Sequence, residues 1–183
     1  MPVHPTLELG HPLLRQPAQL VQDPRSPETQ QLIADLWDTL YDFRQRHGWG
    51  RALAAPVIGV SASVIVVDYA GQQLALINPR FERWSRTQVV AYESCLTFGG
   101  LWGQVSRPAQ VAVVALDAAG QEQRYDLSGE LSRIVQHEID HLDGLVWLDR
   151  DPDLSTICTN NEYRRRVEEH RATNREPRAE NQE

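Results

Sequence analysis

The chain has 183 residues, enough to bury a core as one domain without disulfide or metal staples, and its 41% hydrophobic content sits at the lower edge of globular usage. A formal net charge of −7 argues against a role driven by a basic nucleic-acid-binding surface. No basic segment leads into an apolar run at the N-terminus, and no stretch approaches the ~20 apolar residues of a membrane helix, so a soluble, cytoplasmic chain without membrane association is expected.

In chain order, Leu7 to Val21 is rich in Pro and Gly with scattered Leu and reads as an extended segment laid across the surface. Ser26-Pro27-Glu28 then combines a capping hydroxyl, Pro at the first helical position and an acid in the first turn. Leu32, Ile33, Leu36, Trp37, Leu40 and Phe43 or Tyr41 recur at three- and four-residue spacing, which predicts a core-covering helix ending at His47-Gly48. From Gly50 to Val60 small residues dominate, as where backbone approaches backbone or ligand closely, or where a buried strand begins.

Val64 to Asp68 and Leu74 to Asn78 read as strands joined by the turn Tyr69 to Gln72, with Asn78-Pro79 ending the second. Phe81 to Tyr92 alternates loosely and leads into Glu93-Ser94-Cys95-Leu96-Thr97. Gly99, Gly100 and Gly103 mark a flexible stretch before two more strands, Val111 to Leu116 and Gln123 to Leu127, joined by Asp117 to Gly120. Adjacent hairpins followed by a helix argue for an α+β domain with antiparallel sheets.

Leu131 to Gly144 reads as that helix, with Ser128 as cap, Glu130 in the first turn and Asp143-Gly144 as the stop. Leu131, Val135, Ile139 and Leu142 form an apolar stripe; Ser132, Arg133, Gln136, Asp140 and Asp143 fall on a polar arc expected to face water. His137 and His141 lie one turn apart on the same side with Glu138 beside them, the types that a hydrolytic metal site needs: two neutral nitrogen ligands and a carboxylate free to take a proton. An ordinary amphipathic helix holding two histidines explains the same letters, so the spacing alone leaves both readings open. Cys95 and Cys158 could pair as a disulfide, but a reducing compartment favours metal binding or burial over bridging, and spacing does not choose between them.

Asp151 to Asn161 reads as loop and Glu162 to Arg171 as a charged helix before a disordered tail. The expected division is therefore residues 1–160 as the domain and 161–183 as an attached segment. From Glu162 to Glu183 six Arg balance six acids, so the body carries the excess negative charge.

Three stretches now combine. GRALAAPVIG at Gly50 to Gly59, ESCLT at Glu93 to Thr97 and QHEIDHLDG at Gln136 to Gly144 follow, in order, the patterns G-x-G-L-A-A-x-Q, E-G-C-L-S and Q-H-E-x-D-H, and over roughly residues 7 to 150 the chain resembles the peptide deformylase family. The resemblance implies antiparallel sheets packed around a central metal-binding helix. It implies one divalent metal ion, Fe(II) or Zn(II), on Cys95, His137 and His141, with Glu138 as general base and then acid. The implied reaction hydrolyses an N-formyl amide, removing the formyl group from the formylmethionine of new polypeptides, with the backbone N–H of Leu96 holding the developing oxyanion.

The resemblance also puts Gly50, Ala52, Val57, Glu93 and Trp102 along the substrate. Three of these positions depart from the pattern or bear on it: Val57 replaces the Gln whose amide helps the oxyanion, Ala52 replaces a Gly, and Trp102 alters the region shaping the side-chain pocket. Ser94 replaces the Gly before Cys95. Glu93 has two readings, a partner of Arg107 that orients the Cys95 loop or a plain surface carboxylate. These departures leave two alternatives: the same chemistry on another formamide or small amide, and a metal-holding protein without turnover, which retention of Glu138 disfavours. A monomer is expected. A weak ribosome contact would fall at Arg164-Arg165-Arg166, although Glu168 and Glu169 make a solvated helix the better reading.

Overall fold

A computed structural model describes residues 3–173. Helix α1 spans Pro27–His47 as the local signals dictate: the Ser26 side chain accepts from the Thr29 N–H, and Gly48 closes the helix in the left-handed region at φ 75°. Ile33, Leu36, Leu40 and Phe43 bury, whereas Tyr41 lies on the exposed side. The strands are β1 (Ala52–Ala54), β2 (Val64–Tyr69), β3 (Gln72–Trp84), β4 (Gln88–Ser94), β5 (Leu101–Pro108), β6 (Gln110–Leu116), β7 (Glu122–Ser128) and β8 (Asp153–Thr159). Helices α2 (Gly129–Leu142) and α3 (Asn160–Thr173) complete the order.

All pairings are antiparallel. One sheet runs β1-β2-β3-β6-β7 and the other β4-β5-β8. Helix α2 lies on the larger sheet, where Val135, Ile139 and Leu142 join Leu36 and Leu40 of α1 and Leu53, Ile65 and Leu76 of the strands in the main core. Fully burying each such aliphatic side chain contributes about 1.5–3 kcal/mol, which fixes the orientation of α2. A second, smaller cluster of Cys95, Phe98, Val105, Val146 and Trp147 sits under the loop after β4. No helix among the described residues is long and apolar enough to cross a membrane.

Five local expectations are corrected. The strand through Ile77 does not stop at Asn78-Pro79: Asn78 takes φ 51° and the register shifts between Ile77 and Arg80, so a bulge carries β3 past the proline to Trp84. The stretch after Gly100 is not flexible but is strand β5, and Gly103 is required by packing, since a Cβ there would stand 2.7 Å from the Trp147 ring. Asp151 to Asn161 is not loop: it contains β8, an edge strand with exposed Leu154. Ser128 occupies the cap position of α2, yet its hydroxyl makes no capping bond.

The polar arc of α2 is not wet. Ser132, Arg133, Gln136 and Asp140 are all buried, because this face meets the smaller sheet; only Asp143 at the helix end is exposed. The helix around Glu162 is present as α3, and the expectation for the tail beyond Thr173 falls outside the described residues.

Candidate metal centre

The first turns of the site are set by α2. His137 and His141 project from one side with ring centroids 5.1 Å apart, toward the loop that carries Cys95 directly after β4. The Cys95 Sγ stands 3.2 Å from His141 Nε2, and the ligand atoms of Cys95, His137 and His141 all lie within 4.8 Å of one another. All three residues are buried. Both cysteines are unbridged: Cys158 is buried on β8, opposite Trp102 of β5, outside this group.

Around these donors is a buried ionic network that fixes them. Arg107 on β5 donates from Nε to Glu93 Oε1 at 2.6 Å and from Nη2 to Oε2 at 2.8 Å; its Nη1 donates to Asp140 Oδ2 at 2.9 Å. Arg133 on α2 donates to Glu93 Oε1 at 2.5 Å and to the carbonyls of Val105 (3.0 Å) and Val89 (2.5 Å). Arg150 adds a further charge-assisted contact to Asp140. Glu93 Oε2 lies 3.0 Å from His137 Nδ1, so the carboxylate accepts that proton and His137 turns Nε2 toward Cys95. Glu93 is thus no surface carboxylate: it is 5% exposed and ties two strands, α2 and one imidazole together.

The electrostatics follow from burial and pairing. Burial works against a Cys95 thiolate, but the imidazoles of His141 and His137 outweigh it and hold the thiol well below its ordinary value. His137 is affected in reverse: desolvation lowers it, while Cys95 and Glu93 raise it more. Thr97 Oγ1 also donates to the sulfur at 3.1 Å. A thiol biased toward its thiolate beside two imidazoles is a donor set that would fit a divalent ion. Burial lifts the Glu138 carboxyl above its ordinary value, with His137 and His141 opposing, and this brings a proton acceptor closer to neutrality.

A cleft opens over this point. Gly50, Ala52, Glu93, Ser94, Leu96, Trp102, His137 and Glu138 line it, and Arg51 and Glu130 pair across its rim. Leu96 is the first residue of the 3-10 turn Leu96–Phe98, the position whose N–H a helical turn leaves unused. Ser94 Oγ is buried without a partner among the described residues. Val57 is placed differently: it sits on the 3-10 turn Ala55–Ile58, 1% exposed in the main core, and is not among the lining residues. Its carbonyl accepts from Leu7 N–H at 2.8 Å, while Leu9 N–H bonds Thr97 O at 2.9 Å, so the N-terminal segment laces the two turns beside the site.

Arg133 and Asp140 were not singled out for the site by sequence. A buried Arg on a helix next to the histidines is a signal only once Glu93 is known to be its partner, 40 residues away. The aromatic neighbours of Trp102, Trp49 and Tyr163, were also missed.

Known proteins are similar to this chain in sequence and in fold. The polypeptide deformylase family model matches residues 3–156. A peptide deformylase of Thermomicrobium roseum is 43% identical over 166 residues, covering 86% of this chain and 90% of the relative. The crystal structure of a peptide deformylase from Legionella pneumophila superposes with TM-score 0.77 at 32% identity, covering 96% of this chain and all of that one. One from Synechococcus elongatus, in complex with actinonin, gives 0.76 at 33% identity over 92% and 86%. With the family model matching residues 3–156, a relative 43% identical over most of both chains and a solved structure superposing over 96% of this one, the chain belongs to the polypeptide deformylase family.

Proposed function

We propose that the chain is a metal-dependent hydrolase that removes the formyl group from the N-terminal formylmethionine of new polypeptides. The observation that carries this is the convergence of Cys95, His137 and His141 beside a buried, non-ligand Glu138, in a chain that matches peptide deformylases over most of its length.

Cys95, His137 and His141 would hold one divalent ion, Fe(II) or Zn(II), supplying Lewis-acid polarisation of the formyl carbonyl and of the attacking water. Glu138 takes the proton of that water and delivers it to the amine as the C–N bond breaks; formate and a free α-amino group are the products. The Leu96 N–H donates to the oxyanion that forms as the formyl carbon becomes tetrahedral. With Val57 offering no donor, Leu96 carries the chain's share of that stabilisation. Glu93 acts through His137, fixing its tautomer, while Gly50 and Ala52 keep one cleft wall low enough for the peptide backbone to approach.

Residues 1–160 carry the chemistry and 161–183 are an attached segment; the chain acts as a cytoplasmic monomer on N-formylated peptides. Any weak ribosome contact falls to exposed Arg164, because Arg165 and Arg166 are engaged by Glu162 and its neighbours. Formate release from a formyl-methionyl tripeptide by metal-loaded protein tests the reading. Release from a small formamide but from no peptide would favour the redirected-substrate alternative instead.

A further inference from the structure

Helix α3 looks like an appendage in sequence, yet one of its faces is occupied by the wall of the cleft. Asn160, Tyr163 and Arg166 recur at three-residue spacing and so share that face. The Tyr163 ring stacks on Trp102 with centroids 3.9 Å apart and planes 3° from parallel, and Asn160 Oδ1 accepts the Trp102 indole N–H at 3.1 Å. Tyr163 also meets Tyr92 edge-on at 5.2 Å, and Arg166 donates to the Tyr92 hydroxyl at 3.1 Å. Trp102 and Tyr92 are both lining residues of the cleft, and Trp102 pairs in register with Ser94, the neighbour of Cys95. The Trp102 ring also lies near that of Trp49, with centroids 6.2 Å apart and planes tilted by 51°.

We propose that α3 is a specificity element of the active site: Asn160, Tyr163 and Arg166 are positioning residues that hold Trp102 and Tyr92 as an aromatic wall, against which an apolar side chain following the formylmethionine packs. The inference rests on the deformylase reading. A stack held on one face and a hydrogen bond at the indole edge leave Trp102 few rotamers, so the wall is preformed and the substrate spends little binding energy ordering it. The contacts from Asn160, Tyr163 and Arg166 fall on Trp102 and Tyr92 rather than on Cys95, His137, Glu138 or His141, so loosening the wall affects binding of that side chain rather than the chemical step.

The test compares full-length, metal-loaded wild type, Tyr163→Ala and Tyr163→Phe on formyl-Met-Ala-Ser and formyl-Met-Leu-Ser, measuring kcat and KM separately. Wild type is expected to favour the Leu peptide. Tyr163→Ala is expected to raise KM for that peptide by about two- to ten-fold, the value of one aromatic pair, with kcat held and the Ala peptide little changed; Tyr163→Phe restores wild-type behaviour. Should Tyr163→Ala fail to fold, Asn160→Ala, which removes only the indole bond, is read the same way. An unchanged preference between peptides, or an equal fall in kcat for both, overturns the inference. If wild type itself releases no formate, it is the deformylase reading that fails.

Discussion

Replacing Glu93 by Ala removes the acceptor shared by Arg107, Arg133 and His137. Arg107 keeps Asp140 as a counter-charge, but Arg133 is left with only the carbonyls of Val105 and Val89, so one buried guanidinium loses its anion. Breaking a buried pair from one side costs about 3–5 kcal/mol. For a chain of this size each kcal/mol moves Tm by about 2–4 °C, so metal-free Glu93→Ala should melt about 6–20 °C below wild type. Glu93→Gln should fare little better, because its amide presents a donor to a guanidinium that needs an acceptor. His137 also loses the partner fixing its tautomer, which typically weakens metal binding by about 10–100-fold. Thermal unfolding of the metal-free proteins, with metal affinity from competition against a chromophoric chelator, reads both effects. A Glu93→Ala protein melting within about 2 °C of wild type and binding metal equally well would refute the network's assigned role.

Burial raises the Glu93 carboxyl, but hydrogen bonds and charges from His137 and Arg107 outweigh this and hold it well below the ordinary 4.5. A depressed folded value contributes stability above 4.5 that is lost as pH falls below it, so acid unfolding monitored by circular dichroism should lose this acid-sensitive component in Glu93→Gln. Gly103→Ala forces a methyl against the Trp147 ring and should cost about 1–3 kcal/mol in denaturant unfolding, with the Cys95 loop above it loosened. Cys95→Ala should abolish tight metal binding and formate release together while leaving the fold intact by circular dichroism, since the main core does not include Cys95.

Sequence signals were strongest where the physics is local. Ser26, Pro27 and Gly48 bound α1 as their chemistry requires, and Ala70 and Gly71, both at positive φ, form the turn between β2 and β3. Of the three candidate ligands, His137 and His141 stand out by spacing because α2 places them one turn apart, whereas Cys95 is reached only through the resemblance of its motif. What sequence could not show was tertiary. A helix expected to be half wet is buried on both sides, because its polar arc pairs with Glu93, Arg107 and main-chain carbonyls of a second sheet. Strand β8 is hard to read from sequence because an edge strand with Asp153, Leu154 and Ser155 all exposed lacks the alternation of a half-buried one. Gly103 suggested flexibility, when the space it leaves is filled by Trp147 from 44 residues downstream, a partner that no local pattern reveals.

The central claim, that Glu138 moves the proton at a Cys–His–His metal centre, is tested most directly by formate release from a formyl-methionyl tripeptide. Anaerobically prepared, Fe(II)-loaded wild type and Glu138→Ala should be compared, with metal content measured on the same samples. The account predicts about one metal per chain in both proteins, with turnover in wild type at least about 10²-fold above the variant. Equal turnover in the two proteins, or a fully metallated wild type that releases no formate, would contradict it.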